Sequence, residues 1–214
     1  MTISTVIFDI GNVLIEWQPE RHYDAVIGED RRKEMFAAVD LHGINDAVDR
    51  GAPFRATIEK ASRDNPAFGP EIKMWYFDWI NMASPKIDHS VALLRALRAK
   101  GIRVVALTNF GIESFEFAET QYPFLTEFDK TYVSGRMGCV KPHSLIYEML
   151  EAGEQGDPKQ FLFTDDRVEN IDTAARRGWQ THLFSSPQGW AERLVAEQLL
   201  TLQEAGLTAQ PKAN

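Results

Sequence analysis

Apolar and polar positions along this chain alternate in blocks that predict strand and helix in turn. Residues 6–8 are an apolar, β-favouring run that ends at Asp9, and Gly11 and Asn12 supply the flexible backbone of a strand end. After Pro85, predicted strands at 102–107, 131–133, 160–164 and 181–184 alternate with helices at 110–118, 145–150, 170–177 and 190–204, and a further helix is capped by Asp88 or Ser90 and ended by Gly101. Repeated strand-helix units predict an α/β fold with a Rossmann-like, doubly wound parallel sheet.

Residues 16–88 interrupt this alternation, because the loop after a parallel strand usually takes only about two to six residues. Helical spacing predominates there, so the segment is predicted to be an inserted helical unit. Its strongest pattern, at 71–83, is one apolar stripe that we interpret as the insert's own core. The predicted division is a discontinuous core at 1–15 and 89–207, the insert at 16–88 and a loose tail at 208–214.

Composition narrows the class of protein. With 214 residues, 44% hydrophobic, the chain can bury a substantial core, and a net charge of −8 argues against a broad nucleic-acid or acidic-membrane surface. The single Cys139 excludes an intrachain disulfide and suits a reducing cytoplasm. Neither a signal peptide nor an apolar run of membrane-spanning length is visible. We therefore expect a cytoplasmic location with no nucleic-acid or membrane partner, and the sequence assigns no oligomeric state.

Polar residues stand where the predicted strands end. Asp9, Thr108 and the Asp165-Asp166 pair follow strands, and Lys141 lies in a loop between elements. Taken alone, Asp9 could equally be a solvated residue of a hairpin turn, but in a parallel sheet all these residues gather at one edge, where ligands bind. Three carboxylates in one pocket need a neutralising cation, oxygen ligands suit Mg²⁺, and the lysine ammonium suits a phosphate. The pattern predicts a nucleophile, a metal and a phosphate clamp.

Four segments carry a resemblance to a known family. Phe-Asp-Ile-Gly-Asn-Val-Leu, Leu-Thr-Asn, Val-Lys-Pro and Phe-Thr-Asp-Asp occur in the order of the four motifs of the haloacid dehalogenase (HAD) superfamily of hydrolases. The likeness covers residues 6–14 and about 102–184, and the insert stands where that superfamily places its C1 cap, as in subfamily IA. The Asp-x-Gly-Asn form of the first motif resembles a branch that contains sugar-phosphate phosphatases.

The resemblance implies roles for the motif residues. Asp9 would be the nucleophile that forms an aspartyl-phosphate, while Thr108, Asn109 and Lys141 would hold the phosphate. Lys141 would also partly neutralise the negative charge of Asp9. These roles describe a hydrolase that acts on phosphate monoesters.

The same resemblance implies a Mg²⁺ site. Its ligands would be Asp9, the peptide oxygen of Gly11, and the acidic pair, with Asp166 bound directly and Asp165 bonded to it or to a metal-bound water. The cofactor expected from the resemblance is thus Mg²⁺.

One position departs from the family's pattern. Phosphatases of the superfamily usually carry a second Asp two residues after the nucleophile as general acid and base, and this chain has Gly11. Such assistance is typically worth about 10²- to 10⁴-fold, so its loss is expected to weaken catalysis without abolishing it. Glu16, His22 or a substrate hydroxyl could substitute. Trp17, His22 and Tyr23, close to Asp9 along the chain, are either ligand contacts or hinge packing.

The function predicted is a Mg²⁺-dependent phosphatase whose partner is a small phosphorylated metabolite, with substrate choice set by the insert. Two alternatives stay open. A metal-independent 2-haloacid dehalogenase would lose nothing through Gly11, but Asp165 and Asp166 would then be unneutralised charge beside an anionic substrate. A non-catalytic module could bind a phosphorylated ligand without turning it over.

Overall fold

A five-stranded parallel sheet forms the centre of the computed structural model, which describes residues 2–208. The strand order is β5-β4-β1-β6-β7, and β2 and β3 form a separate antiparallel pair. The strands are β1 Thr5–Phe8, β2 Ile15–Trp17, β3 Ala83–Lys86, β4 Arg103–Thr108, β5 Lys130–Val133, β6 Phe161–Asp165 and β7 Gln180–Leu183. Because β1 is central and the chain continues first to one side of it and then to the other, a crevice opens at the carboxyl ends of β4, β1 and β6.

Helices flank this sheet and fill the insert. The insert's helices are α1 Pro19–Ile27, α2 Glu29–Ala38, α3 Leu41–Asp49, α4 Phe54–Asp64, α5 Gly69–Phe77 and α6 Trp79–Met82. The helices that follow are α7 Asp88–Ala99, α8 Ile112–Gln121, α9 Ser134–Met137, α10 Ser144–Glu154, α11 Val168–Arg176 and α12 Pro187–Ala196. Strands alternating with helices across two faces confirm the predicted α/β Rossmann-like fold.

Alternation along the strands builds two hydrophobic layers. Val6 and Phe8 of β1 face one cluster, which continues into α7, α12 and the insert, whereas Ile7 faces a second cluster beneath α10 and α11. Both faces of the sheet are covered, so its strands read as continuous apolar runs. The first cluster also contains Trp75 and Trp79 of the insert, so the insert has no separate core and packs into the same hydrophobic layer as this face of the sheet.

The insert is helical as expected, but its two ends are not. Residues 15–17 and 83–86 pair as antiparallel strands, which the sequence pattern did not reveal because each is only three or four residues long. The 71–83 stripe is split as well. Helix α5 ends before Asp78, α6 begins at Trp79, and Ala83 already belongs to β3. Ile72, Trp75 and Trp79 of the stripe are buried, but in the core that the insert shares with the sheet rather than in a core of the insert's own.

Three further details differ from expectation. Helix α7 starts at Asp88 without a side-chain cap bond, and Ser90 is buried inside it, so neither residue caps the helix. Helix α12 ends at Ala196 instead of continuing to Glu204, and Leu202 is exposed rather than docked on the sheet. By contrast, Gly101 ends the α7 segment as predicted, with a left-handed φ of 74°. The predicted tail lies almost wholly outside the described residues, since only position 208 is described.

Within residues 2–208 no helix combines the length and the apolarity that crossing a membrane would need.

Candidate active site

The carboxyl edge of the sheet brings the predicted polar residues together. Asp9 follows β1 directly, Thr108 is the last residue of β4, and Asp165 is the last residue of β6. Parallel pairing of β1 with both neighbours sets this register, and the Asp9 amide donates to the carbonyl of Thr164 at 2.9 Å. Because a parallel sheet ends all its strands on one side, residues far apart in the chain meet here.

Lys141 links two of the acids. Its Nζ lies 2.8 Å from Asp9 Oδ1 and 2.6 Å from Asp165 Oδ2, and its side chain is almost fully buried. Asn109 fixes the loop that carries it, since the Asn109 Nδ2 donates to the Lys141 carbonyl at 3.0 Å and Oδ1 accepts from the Lys141 amide at 2.8 Å. A buried ammonium with two carboxylate partners is held in one position and stays charged.

The charges of this group are strongly coupled. Burial raises the pKa of Asp9 to about 7, because lost hydration outweighs the attraction of Lys141, and the nearby Asp165 carboxylate adds to the rise. Burial alone would lower the pKa of Lys141, but the Asp165 and Asp9 carboxylates together raise it above its ordinary value. The lysine therefore remains an ammonium at neutral pH, while Asp9 needs further positive charge to be fully ionised.

The two adjacent acids differ in their surroundings. Asp165 is fully buried, and besides Lys141 it accepts from the Arg167 amide at 2.8 Å and from Asn170 Nδ2 at 2.9 and 3.0 Å. Asp166 is half-buried and accepts from Asn12 Nδ2 at 3.0 Å. Burial raises the pKa of Asp166 as well, although the Asn12 hydrogen bond opposes the rise. Asp166 is thus the acid of the pair with more capacity left for a ligand.

The donor set suits a small divalent cation. One carboxylate oxygen from each of Asp9, Asp165 and Asp166 lies within 4.8 Å of the others. Among the described residues, the buried Asn170 Oδ1 beside this group has no hydrogen-bond partner, so an oxygen acceptor is available there for a metal-bound water. Oxygen-only ligands that carry excess negative charge are what Mg²⁺ selects.

A cavity of about 470 Å³ opens above these groups. Asp9, Thr108 and Lys141 line it from the sheet edge, and helix α3 of the insert contributes a second set of lining residues: His42, Asn45, Asp46 and Asp49. This volume falls in the range of sites for small molecules, about 300–1,000 Å³. The arrangement can therefore hold a phosphoryl group at the sheet edge with its organic part directed toward the insert.

The neighbours of Asp9 in sequence divide into two groups. Glu16 and Trp17 line the cavity, and Glu16 is ion-paired with Arg21 at 2.7 Å. His22 does not line the cavity, and its Nε2 lies 3.3 Å from Asp78 Oδ2. Tyr23 is buried and donates to the Glu71 carbonyl at 2.9 Å, which is packing within the insert.

Sequence reasoning did not single out the lining residues of α3. His42, Asn45, Asp46 and Asp49 follow the spacing i, i+3, i+4, i+7, which places them on one face of the helix. Leu41 and Val48, both buried, occupy the other side. This polar stripe, on a helix that also has an apolar face, is the sequence signal that could have identified these lining residues.

Comparison with known proteins identifies the family of this chain. The model of the haloacid dehalogenase-like hydrolase family matches residues 3–178. A D-ribitol-5-phosphate phosphatase from Bacteroides thetaiotaomicron is 22% identical over 210 residues, which are 90% of this chain and 97% of the relative.

Two solved structures share the fold. An aspartate-to-alanine mutant of a HAD family enzyme from the same organism, in complex with magnesium and inorganic phosphate, has a TM-score of 0.71 at 22% identity and covers 89% of this chain and 98% of its own. L-2-haloacid dehalogenase from Xanthobacter autotrophicus has a TM-score of 0.61 at 16% identity, covering 100% and 92%. Likeness at such identities establishes the fold, and the family model spans most of the chain. The protein therefore belongs to the haloacid dehalogenase-like hydrolase family.

Proposed function

We propose that this chain is a Mg²⁺-dependent phosphatase that hydrolyses a small phosphorylated metabolite through an aspartyl-phosphate on Asp9. The observation that carries the proposal is Lys141 Nζ bridging Asp9 and Asp165 at 2.8 and 2.6 Å beneath a 470 Å³ cavity. The ammonium orients the nucleophile and attracts the phosphate. The D-ribitol-5-phosphate phosphatase and the magnesium- and phosphate-bound HAD enzyme support the same chemistry.

Asp9 is the proposed nucleophile. Its Oδ1 accepts from the Ile10 amide at 2.7 Å and from Lys141 Nζ, which leaves Oδ2 for nucleophilic attack. Thr108, buried at the cavity, is proposed to donate to a phosphoryl oxygen, and Asn109 to contact the phosphate while its side chain holds the Lys141 loop.

Asp9, the peptide oxygen of Gly11 and Asp166 would hold Mg²⁺, with Asp165 supporting the site, and the bound ion would neutralise the carboxylates and the phosphoryl oxygens.

The helical insert at 16–88 is proposed to act as the cap that selects the substrate. Its polar α3 face lines the cavity, and amide and carboxylate groups are suited to bind hydroxyl groups. A sugar or sugar-alcohol phosphate matches this lining and the size of the cavity. The expected cytoplasmic location, and the absence of a nucleic-acid partner, remain predictions.

A phosphate-release panel tests this function. Sugar and sugar-alcohol phosphates, nucleotides and acyl phosphates are incubated with wild type and Asp9→Asn, each with Mg²⁺ and with EDTA. Turnover of at least one sugar phosphate that needs both Asp9 and Mg²⁺ is expected. Hydrolysis that survives Asp9→Asn would overturn the mechanism. Phosphate binding without release would identify a binding module, and metal-independent chloride release from 2-chloropropionate would identify a dehalogenase.

A further inference from the structure

The proton for the leaving group has no obvious source at position 11. Gly11 lines the cavity but has no side chain, and a Cβ built there would meet no atom within 4 Å. Packing therefore does not forbid an acid at this position; the chain lacks one. Departure of an alkoxide without a proton is slow, so another group in the cavity is needed for an efficient reaction.

Asp49 is the acid best placed to supply that proton. It is the last residue of α3, lines the same cavity as Asp9 and is half-buried. Of the other cavity-lining acids outside the metal cluster in the described chain, Glu16 is ion-paired with Arg21 and Asp46 is exposed. Asp49 is neither ion-paired nor exposed among the described residues.

Two side chains hold the Asp49 carboxyl in position. Asn45 Nδ2 donates to Asp49 Oδ2 at 2.9 Å, and Asn45 Oδ1 accepts from the buried Trp75 Nε1 at 3.0 Å. Because an indole N–H can only donate, it fixes the orientation of the Asn45 amide and points its NH₂ group at Asp49. Asn45 and Trp75 are thus positioning residues.

The end of α3 is also fastened to the core. Ser134 Oγ, at the carboxyl end of β5, donates to the Asp49 carbonyl at 2.6 Å. Gly111, in the loop after β4, approaches the same end of α3 closely, since a Cβ at this position would lie 2.5 Å from Val48 Cγ1. The last turn of α3, which carries Asp49, is therefore held against the loops at the sheet edge where the phosphoryl group would bind.

We propose that Asp49 is the general acid and base of the reaction, in the role that an aspartate at position 11 would otherwise fill. The proposal rests on the phosphatase function above. Attacking and leaving oxygens lie roughly in line in phosphoryl transfer, so a leaving oxygen opposite Asp9 points into the cavity that Asp49 lines.

Two proton transfers complete the cycle. An Asp9 oxygen bonds to phosphorus as the bond to the leaving oxygen breaks, and protonated Asp49 gives its proton to that oxygen, which leaves as an alcohol. The Asp49 carboxylate then takes a proton from water as the water oxygen bonds to phosphorus and the bond to Asp9 breaks. Inorganic phosphate is released, Asp9 is again a carboxylate and Asp49 is again protonated.

The charges around Asp49 favour such a role. Burial raises the pKa of Asp49 to about 7, and the negative charges of Asp46 on the same helix and of Asp9 across the cavity add to the rise. The Gly111 N–H and Arg50 oppose it. The basic groups on the elements that pack against α3 lie near other acids or in solvent. Arg136 of α9 lies near Glu116 and Glu119, Arg55 and Lys60 of α4 pair with Glu59 and Asp64 of the same helix, and Arg63 of α4 is exposed. A carboxyl with a pKa near the working pH can both give and accept a proton.

Leaving-group dependence distinguishes this role from a structural one. Asp49→Asn is expected to lower kcat/KM for the best alkyl phosphate of the panel by about 10²- to 10⁴-fold, and for p-nitrophenyl phosphate by less than about 10-fold, because p-nitrophenolate leaves without a proton. In wild type, kcat/KM for the alkyl phosphate should fall above pH 7 as Asp49 loses its proton, and this limb should vanish in Asp49→Asn.

Two further variants complete the test. Asp30→Asn, the same charge change at an exposed site of α2, should leave both substrates unaffected. Gly11→Asp combined with Asp49→Asn should regain at least about 10-fold on the alkyl phosphate, because the acid returns to a position with room for it.

Equal losses on both substrates, or no loss on either, in a folded Asp49→Asn protein overturn the role of Asp49 while leaving the phosphatase function intact. A wild type that releases phosphate from no substrate, or that needs no Asp9, overturns the phosphatase function itself and the role of Asp49 with it.

Discussion

Asn12 and Asp166 are 154 residues apart in sequence, yet their side chains are joined by a hydrogen bond of 3.0 Å. Asn12 has a left-handed φ of 54°, a conformation that Asn tolerates better than most residues, and its Oδ1 accepts from the Trp17 amide at 2.9 Å. One side chain thus connects the loop after β1, the start of the insert and the acidic pair that ends β6.

Replacement of Asn12 should therefore weaken the metal site. Asn12→Gly keeps the left-handed backbone but removes the amide that orients Asp166, so the Mg²⁺ concentration for half-maximal activity should rise about 10- to 100-fold. Asn12→Ala should show the same rise and lose roughly a further 1 kcal/mol of unfolding free energy through backbone strain. Mg²⁺ titrations and urea denaturation measure the two effects. An unchanged Mg²⁺ requirement in Asn12→Gly would contradict the supporting role.

Removal of the Lys141 charge should destabilise the protein. Lys141→Met keeps most of the buried volume but leaves Asp9 and Asp165 facing each other, at a cost of about 3–5 kcal/mol without metal. Because Mg²⁺ supplies positive charge to the same acids, it should recover part of that loss while activity stays low. Thermal unfolding with Mg²⁺ and with EDTA measures this, and Lys159→Met at an exposed position is the control. Equal stability of Lys141→Met and wild type in EDTA would show that the bridge is not needed to hold the acids.

The sheet and the residues at its edge could be predicted because each lies at the end of a continuous apolar run. Asp9, Thr108 and Asp165 have positions fixed by strand register alone, since parallel strands end together. Lys141 was predictable only as a loop residue beside them. Its place between two carboxylates depends on the Asn109 contacts, which no periodicity encodes.

The other half of the cavity depends on how the insert docks. Asp49 and Asn45 belong to a helix whose polar stripe would face solvent in an isolated insert. They reach the site because Ser134 and Gly111 of the core contact the end of α3. These contacts join segments about 60 to 85 residues apart in sequence. The strands β2 and β3 were missed for a similar reason, since pairing across the whole insert stabilises them rather than local sequence preference.

Glu113 should control the docking of the insert. Located on α8 of the core, it accepts from the Phe54 amide at 2.8 Å and so caps helix α4 of the insert. Glu113→Ala should lose roughly 1 kcal/mol of capping energy and populate undocked conformations, raising KM up to about 10-fold with little change in kcat. Steady-state kinetics measure this against Glu116→Ala, an exposed neighbour on the same helix. A fall in kcat at constant KM would instead place Glu113 in the chemistry.

Asp49 should reduce the stability of the protein at alkaline pH. Its folded-state pKa of about 7 lies above the ordinary value of 3.8, so between these pH values the folded protein keeps a proton that the unfolded chain has released. The contribution of Asp49 to stability therefore declines as pH rises through this window, and above pH 7 the half-buried carboxylate is a net cost. Asp49→Asn carries no such charge and can keep the Asn45 contact.

The metal-free Asp49→Asn variant should be more stable than wild type at pH 8 by about 1–2 kcal/mol, a value reduced for partial solvent screening, and should lose that advantage near pH 4. Urea denaturation at several pH values measures the difference, with Asp30→Asn as the matched charge control. If Asp49→Asn were instead the less stable protein at pH 8, Asp49 would be a structural carboxylate. A substitution that stabilises the protein but strongly lowers its turnover of alkyl phosphates would show a residue retained for its chemistry at the expense of stability.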